Sequence, residues 1–164
     1  MPSELRIEPI GRIRTPFHEP AGTPIQPSRA NGARGWVYLD PAFREGLQDL
    51  AGFERIWLIY WFHLAADSSL LVRPFLNNDQ RGVFATRAPV RPSPLGISTV
   101  RLLSVREELL EIADVDIVDG TPLLDIKPYV PEFDCYPDSK AGWFSDAHSE
   151  RRFADTRFQR GSSE

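Results

Sequence analysis

The sequence holds a single cysteine, Cys135, which excludes an intrachain disulfide and a zinc centre built on paired cysteines. Its three histidines, His18, His63 and His148, lie far apart and match no metal-ligand spacing. No apolar run approaches the ~20 residues that a membrane-spanning helix needs, and the opening MPSELRIEPIGRIRTPF has no apolar signal core. The expectation is a soluble, cytoplasmic protein without a metal. Lysine is scarce too: of 19 basic residues only Lys127 and Lys140 are lysines. With 23 acidic residues and a net charge of −4, the whole chain does not advertise nucleic-acid binding. Arginine nevertheless suits planar contacts to carboxylates, phosphates and bases, so a local basic face is compatible with a mildly acidic whole; a bias toward arginine codons would give the same composition.

Proline and glycine are plentiful instead, at 15 and 11, which argues against a helical bundle and for short strands joined by many turns. The 164 residues read as one domain over 1–164, with a core over about 5–134 and a C-terminal extension over 135–164. Residues 5–14 alternate weakly and predict a first strand. Thr15 to Gly35 is a long Pro/Gly/Ser/Asn-rich loop. Trp36 to Leu39 predicts a strand, and Pro41 to Leu50 a short helix with Asp40 as N-cap. FERIWLIYWFH (Phe53 to His63) predicts a central strand, because Ile56, Leu58, Tyr60 and Phe62 fall on one face and Trp57, Ile59 and Trp61 on the other. Further strands are expected over Gly82 to Thr86, Ile97 to Val105, Leu109 to Val115 and Leu123 to Ile126, with a turn at Asp119-Gly120 and a surface helix over Ser145 to Phe158. The tail after Arg160 is expected to fray. The sum is a mainly β protein: a single antiparallel β-barrel of about seven strands with a few short helices and long loops.

One stretch asks for more than a connector. RAPVRPSPLGISTV (Arg87 to Val100) places three prolines and two arginines within eight residues and then runs straight into a strand. Prolines 89, 92 and 94 remove backbone freedom and lower the ordering cost of binding, and Gly96 permits a close approach or a positive φ. Arg87 and Arg91 offer guanidinium forks for a carboxylate or a phosphate. A rigid connector with solvated arginines fits the same composition. In DGTPLLDIKPY, Asp119-Gly120 makes a turn and the Leu123-Leu124 backbone could hold a ligand edge, although a plain hairpin reads equally well. Asp125 and Lys127 share a strand face, as an exposed ion pair or at an active-site mouth. His63 ends the central strand, where a barrel opens, and is either a hydrogen-bonded structural residue or a participant.

The sequence resembles the TrmO/TsaA-like family of S-adenosylmethionine-dependent tRNA methyltransferases. The likeness rests on IGRIRTPF (Ile10 to Phe17) with Gln26-Pro27, GLQDLAGFERIWLIYWFH (Gly46 to His63), GVFATRAPVRPSPLGIS (Gly82 to Ser98) and DVDIVDGTPLLDIKPYVP (Asp114 to Pro131), in that order. Ser93 stands where the family usually has Asn, Ser28-Arg29-Ala30 where it usually has a Gly-Leu run, and the chain reads as lacking the C-terminal domain of many bacterial members. The resemblance implies a β-barrel that binds S-adenosyl-L-methionine, in line with the absence of a dinucleotide-type glycine fingerprint. It implies a homodimer that N6-methylates N6-threonylcarbamoyladenosine in the tRNA anticodon loop. Carried over residue by residue, the cofactor contacts are Gln26, Pro27, Ser28, Phe62, His63, Arg87, Arg91, Pro92, Leu102, Asp119, Gly120, Thr121, Pro122, Leu123 and Leu124. His63 and Asp125 are the candidate bases for the N6 proton, and Arg29 and Arg34 in the long loop are the expected RNA contacts. Two rival readings stay open: a methyltransferase acting on another RNA or a small molecule, and a cofactor-binding module without transfer activity.

Overall fold

The computed structural model describes residues 6–147 and 149–160; the tail after Arg160, expected to fray, and His148 lie outside them. Six strands close into an antiparallel barrel: β1 (Gly11–Arg14), β2 (Arg34–Leu39), β3 (Arg55–Trp61), β6 (Leu95–Arg106), β7 (Leu109–Ala113) and β8 (Thr121–Pro128), in the order β1-β2-β7-β6-β3-β8, with β8 returning to β1. Two short strands, β4 (Leu71–Val72) and β5 (Arg81–Gly82), form a separate ladder.

Alternation builds the barrel. Ile56, Leu58 and Tyr60 of β3 point inward and are buried, and meet Ile13, Val37, Val100, Leu110, Ile112 and Leu123 from the other strands. Each such side chain fully removed from water contributes roughly 1.5–3 kcal/mol. One barrel end is plugged by two 3-10 turns, Pro41–Leu47 and Leu50–Gly52, whose Leu47 and Leu50 join this core. The sequence predicts one helix here. Asp40 does cap it, its carboxylate accepting from Ala42 N at 2.9 Å, but Asp49 at φ 65° breaks the run. The other end is left open by the strand termini: β3 stops there, β6 and β8 begin, and β1 runs into the long loop.

The barrel therefore has six strands where the pattern suggests about seven. The segment predicted as a strand over Gly82 to Thr86 is a 3-10 turn, Val83–Ala85, whose inward residue Val83 belongs to a second small cluster with Val72, Ala88, Val90 and Phe158. The helix expected over Ser145 to Phe158 does not form. Its described residues instead take the end of one 3-10 turn, Gly142–Asp146, and a second, Thr156–Phe158, with Phe153 between them bridged to Pro24 of the long loop and Gln159 just past them bridged to Ala65. Phe158 is buried in the second cluster and packs against Phe75 at 5.1 Å. Among the described residues no helix is long and apolar enough to cross a membrane, and no group of three or more His, Cys, Asp or Glu is placed to hold a metal.

Gly96 has a packing duty that the loop composition concealed. It is paired with Tyr60 across β3 and β6, and a Cβ at this position would fall inside the Tyr60 ring. Its φ is not in the left-handed region; what matters is the missing side chain. Gly96→Ala must displace the ring or open the pair, and should cost ~1–3 kcal/mol in denaturant unfolding. An unchanged midpoint would mean that the ring does not occupy this notch.

Candidate functional site

The open rim holds a cavity of about 260 Å³. Phe62 and His63, just past the end of β3, form one wall, and Leu95 and Ile97 of β6 another. Gln26 of the long loop and Arg87 of the proline loop close the mouth, joined by a hydrogen bond from Arg87 Nη1 to Gln26 Oε1 at 2.7 Å. Ala154, Asp155 and Phe158 of the C-terminal segment complete the lining. The floor is Asp116, with Tyr60 beside it.

Asp116 lies between the fully buried Val115 and Ile117 on the stretch joining β7 to β8. Ser98 Oγ donates to Asp116 Oδ1 at 2.6 Å, and the Tyr60 hydroxyl lies 3.0 Å from Ser98 Oγ. Ser98 has one hydroxyl proton and gives it to the carboxylate, so Tyr60 donates to Ser98. Burial raises the Asp116 carboxyl to about 7, against the opposing pull of the Ser98 hydroxyl and the Arg87 charge. Burial, with the charge on Asp116 behind it, pushes the Tyr60 phenol up as well, so Tyr60 stays protonated. His63, half-buried, is held below its ordinary value by burial and then by the Arg12 charge, and its Nδ1 lies 3.5 Å from Thr121 Oγ1. It is neutral at pH 7.

Of the residues expected at the site, Gln26, Phe62, His63, Arg87, Arg91 and Thr121 meet at this cavity. The others do not line it. Ser28 lines a neighbouring groove, and Pro27 opens a 3-10 turn between the two. Pro92 is exposed on the outer side of its loop. Leu102 packs against the barrel core, and its amide is taken by Glu54 O. Gly120, at φ 76°, makes the expected turn, but its carbonyl accepts from Arg12. Pro122 and Leu123 are buried, paired to β1, and Leu123 is paired to Tyr60 as well, so the Leu123 main chain is not free for a ligand edge. Leu124 is the extra residue of a bulge against β3. Asp125 forms an ion pair with Lys127 at 2.8 Å and lines a separate groove with Ile10, Phe43 and Pro128, away from His63. The two candidate bases thus do not share a site. Asp116 is not singled out in the sequence because an Asp between Val and Ile looks like the solvent-facing member of an alternating run, whereas Asp119, Gly120 and Thr121 on the same segment are.

Two charged groups at the rim are already engaged. Nη1 of Arg91 donates to the carbonyls of Thr86 at 2.9 Å and of Val83 and Ala88 at 3.2 Å, which fastens the proline loop to the turn before it. Asp119 accepts from Thr15 N and Arg14 Nε, both at 2.9 Å, with His18 at 3.6 Å. Burial would raise its carboxyl, but these partners outweigh burial and hold it below the ordinary value of 3.8. A depressed folded-state value adds stability above the unfolded value and loses it as pH falls through the folded one. Asp119→Asn should therefore lower stability by roughly 1 kcal/mol at pH 7, and the gap should close below about pH 4. Thermal melts across that range check this; a gap that widens on acidification would contradict it.

A second groove, of about 680 Å³, adjoins the cavity and shares Ile25, Gln26, Phe75, Thr86, Arg87 and Phe158 with it. Phe84, Trp143 and Phe144 line it, Phe84 with 76% of its surface exposed, together with Arg29 and Arg87 and no carboxylate. Trp143 is fixed by a bond from its Nε1 to Ala85 O at 2.7 Å and lies under the Arg81 guanidinium.

Comparison with known proteins agrees with this architecture. Residues 12–135 match the model of the tRNA-methyltransferase O N-terminal domain. A probable S-adenosyl-L-methionine-binding protein of Pyrococcus abyssi is 52% identical over 143 residues, 87% of this chain and 78% of that protein. The tRNA (adenine(37)-N6)-methyltransferase of Escherichia coli is 35% identical over 88% of this chain and 66% of its own length. The crystal structure of TrmO from Pseudomonas aeruginosa superposes with a TM-score of 0.72 at 40% identity, over 85% of this chain and 62% of that one. The chain thus spans less than two thirds of those two methyltransferases. With 124 of its 164 residues in the matched span (135 − 12 + 1), the chain belongs to the tRNA-methyltransferase O family.

Proposed function

We propose that this protein is an S-adenosyl-L-methionine-dependent methyltransferase that methylates N6 of N6-threonylcarbamoyladenosine in a tRNA anticodon loop. The observation that carries the cofactor half is the charge layout of the cavity. A carboxylate, Asp116, forms the floor, with no ion pair to a guanidinium or ammonium among the described residues, and a guanidinium, Arg87, stands at the mouth. A zwitterionic ligand with a sulfonium at one point and a carboxylate at another complements both. When bound, the cofactor supplies a methyl group already activated by its sulfonium. The chain's task is then to align donor and acceptor and to limit access of water, which the Phe62 and Phe158 walls serve. Gln26 holds the Arg87 fork in place. Neutral His63, beside Thr121, is suited to a hydrogen bond rather than to charge.

The acceptor half is supported by the adjoining groove. Unpaired anticodon-loop bases stack on aromatic rings and guanidinium planes, and Phe84, Trp143, Phe144 and Arg87 offer both beside the cavity mouth. Trp143, Phe144 and Phe158 lie beyond the matched family span, so the chain's own C-terminal segment supplies three of the five aromatic rings of this groove. The expected RNA arginines are less free: Arg34 pairs with Glu111 at 2.9 Å, and Arg29 donates to the carbonyls of Ser149 and Arg151. A tRNA substrate implies work in the cytoplasm.

Calorimetry with S-adenosylhomocysteine, followed by methyl transfer to tRNA with and without the threonylcarbamoyl group, tests the reading. Binding and transfer to the modified tRNA alone are expected, and Phe84→Ala should reduce transfer roughly tenfold to a hundredfold, the worth of one base stack. No binding to folded protein removes the cofactor claim; equal turnover of the unmodified transcript removes the acceptor claim.

The barrel's outer face supports a homodimer. Trp61 pairs with Leu95 and Ile59 with Ile97 across β3 and β6, and Trp61, Leu95 and Ile97 are each more than 40% exposed. A patch of this kind favours a two-fold contact. Light scattering should give about twice 18.6 kDa at micromolar protein; a mass of one chain would contradict it.

A further inference from the structure

Methylating an N6 nitrogen that already bears a carbamoyl group requires that nitrogen to lose a proton, and of the two expected bases only His63 lines the cavity. His63 sits at the wall with Thr121 on its ring, and Asp125 lies at another groove, tied to Lys127. Resting on the function proposed above, we infer that Asp116 is the proton acceptor of methyl transfer, positioned by the Tyr60–Ser98 relay at the floor of the cavity.

Three observations carry this. Asp116 lines the cavity, so its carboxylate can touch what enters. Its Oδ1 is fixed by Ser98, while no other hydroxyl, guanidinium or ammonium occupies its second oxygen among the described residues. The relay is itself rigid, because Tyr60 lies in the notch left by Gly96 with its ring against Phe62 at 5.4 Å. Both hydroxyl protons point toward the carboxylate, the arrangement that favours its ionised form.

The step balances in atoms and charge. The nitrogen lone pair forms the new N–C bond, and the C–S bond breaks with its electron pair left on sulfur. The N–H bond breaks, and Asp116 receives the proton on the oxygen that Ser98 does not hold. A cation beside a carboxylate becomes a thioether beside a carboxylic acid, so the buried floor holds no net charge before or after. A low-dielectric site strongly favours such a route over one that leaves a lone charge behind. It also gives the base a timed strength. Beside the sulfonium the carboxylate is stabilised in its ionised form; as that charge disappears, the carboxyl becomes more basic while the acceptor N–H becomes more acidic.

The other groups facing this floor are few. Tyr60 and Ser98 are neutral donors, Arg87 is a cation at the mouth, Arg91 is a second cation whose Nη1 is spent on loop carbonyls, and His63 is neutral near pH 7. Asp155 lies on the C-terminal wall, held ionised by the Arg157 and Arg151 side chains despite its partial burial. Of the carboxyls lining the cavity, Asp116 alone titrates near neutrality, with a value of about 7.

The test uses the full chain and needs no variant to begin. Carbon-13 spectra of aspartate-labelled protein should show one carboxyl titrating near pH 7. Calorimetry in buffers of different ionisation enthalpy should show that S-adenosylmethionine releases a fraction of a proton near pH 7 that S-adenosylhomocysteine does not. Asp116→Asn should abolish that difference and lower kcat about a hundredfold to ten-thousandfold, the range of a lost general base. Tyr60→Phe and Ser98→Ala should shift the carbon-13 midpoint and the acid limb of the rate together, which a merely structural role would not do. If both ligands bind with the same proton release, or no carboxyl titrates above pH 5, the role of Asp116 is overturned while the cofactor site stands. If neither ligand binds, the proposed function itself fails.

Discussion

The hydrogen-bonded line from Tyr60 through Ser98 to Asp116 is the constraint on which the site depends. It joins β3, β6 and the β7–β8 connection at the open rim of the barrel, and it exists because Gly96 leaves room for an aromatic ring where any other residue would place a side chain. A buried carboxyl is costly unless it is hydrogen-bonded. The relay lowers that cost without removing it, so Asp116 keeps a proton affinity near neutrality instead of being pinned as a permanent anion. Asp119, three residues on, shows the opposite treatment: Thr15, Arg14 and His18 hold it ionised, and it fastens the end of β1 to the turn before β8. Two aspartates on one short segment are thus assigned different chemistry by their surroundings.

The arginines divide in the same way. Arg91 spends its head group on three carbonyls of the neighbouring turn and makes the proline loop rigid, which leaves Arg87, bonded to Gln26, to face an incoming anion. Arg157 and Arg160 tie the C-terminal segment to the loops at Pro74 and Ala65. A segment with no apolar periodicity of its own therefore becomes a wall of the cavity and of the aromatic groove.

Most of the barrel was legible in the sequence because alternation reports a half-buried strand directly, as in Ile56, Leu58 and Tyr60 against Trp57, Ile59 and Trp61. The strand predicted over Gly82 to Thr86 was misplaced because an apolar Val-Phe-Ala run serves a 3-10 turn as well as a strand. Residues 145–158 form no continuous helix because their placement comes from long-range contacts, such as the bridge from Phe153 to Pro24, that no local pattern records. The site was half legible. Loop-borne residues such as Gln26, His63 and Arg87 meet at one cavity, whereas Leu123 and Asp125 are carried off by the register of β8, where one bulge at Leu124 decides which way each side chain points. Asp116 could be found only with coordinates, since its meaning comes from Ser98 and Tyr60, 18 and 56 residues away in sequence.

The most direct measurement of the central claim is a crystal structure with S-adenosylhomocysteine. The account predicts the thioether sulfur within about 4–6 Å of the Asp116 carboxylate, the reach over which an opposite charge shifts a carboxyl, with the ligand carboxylate on Arg87. Density in the Asp125 groove at the opposite end of the barrel, or in the rim cavity with the sulfur turned away from Asp116, would contradict it.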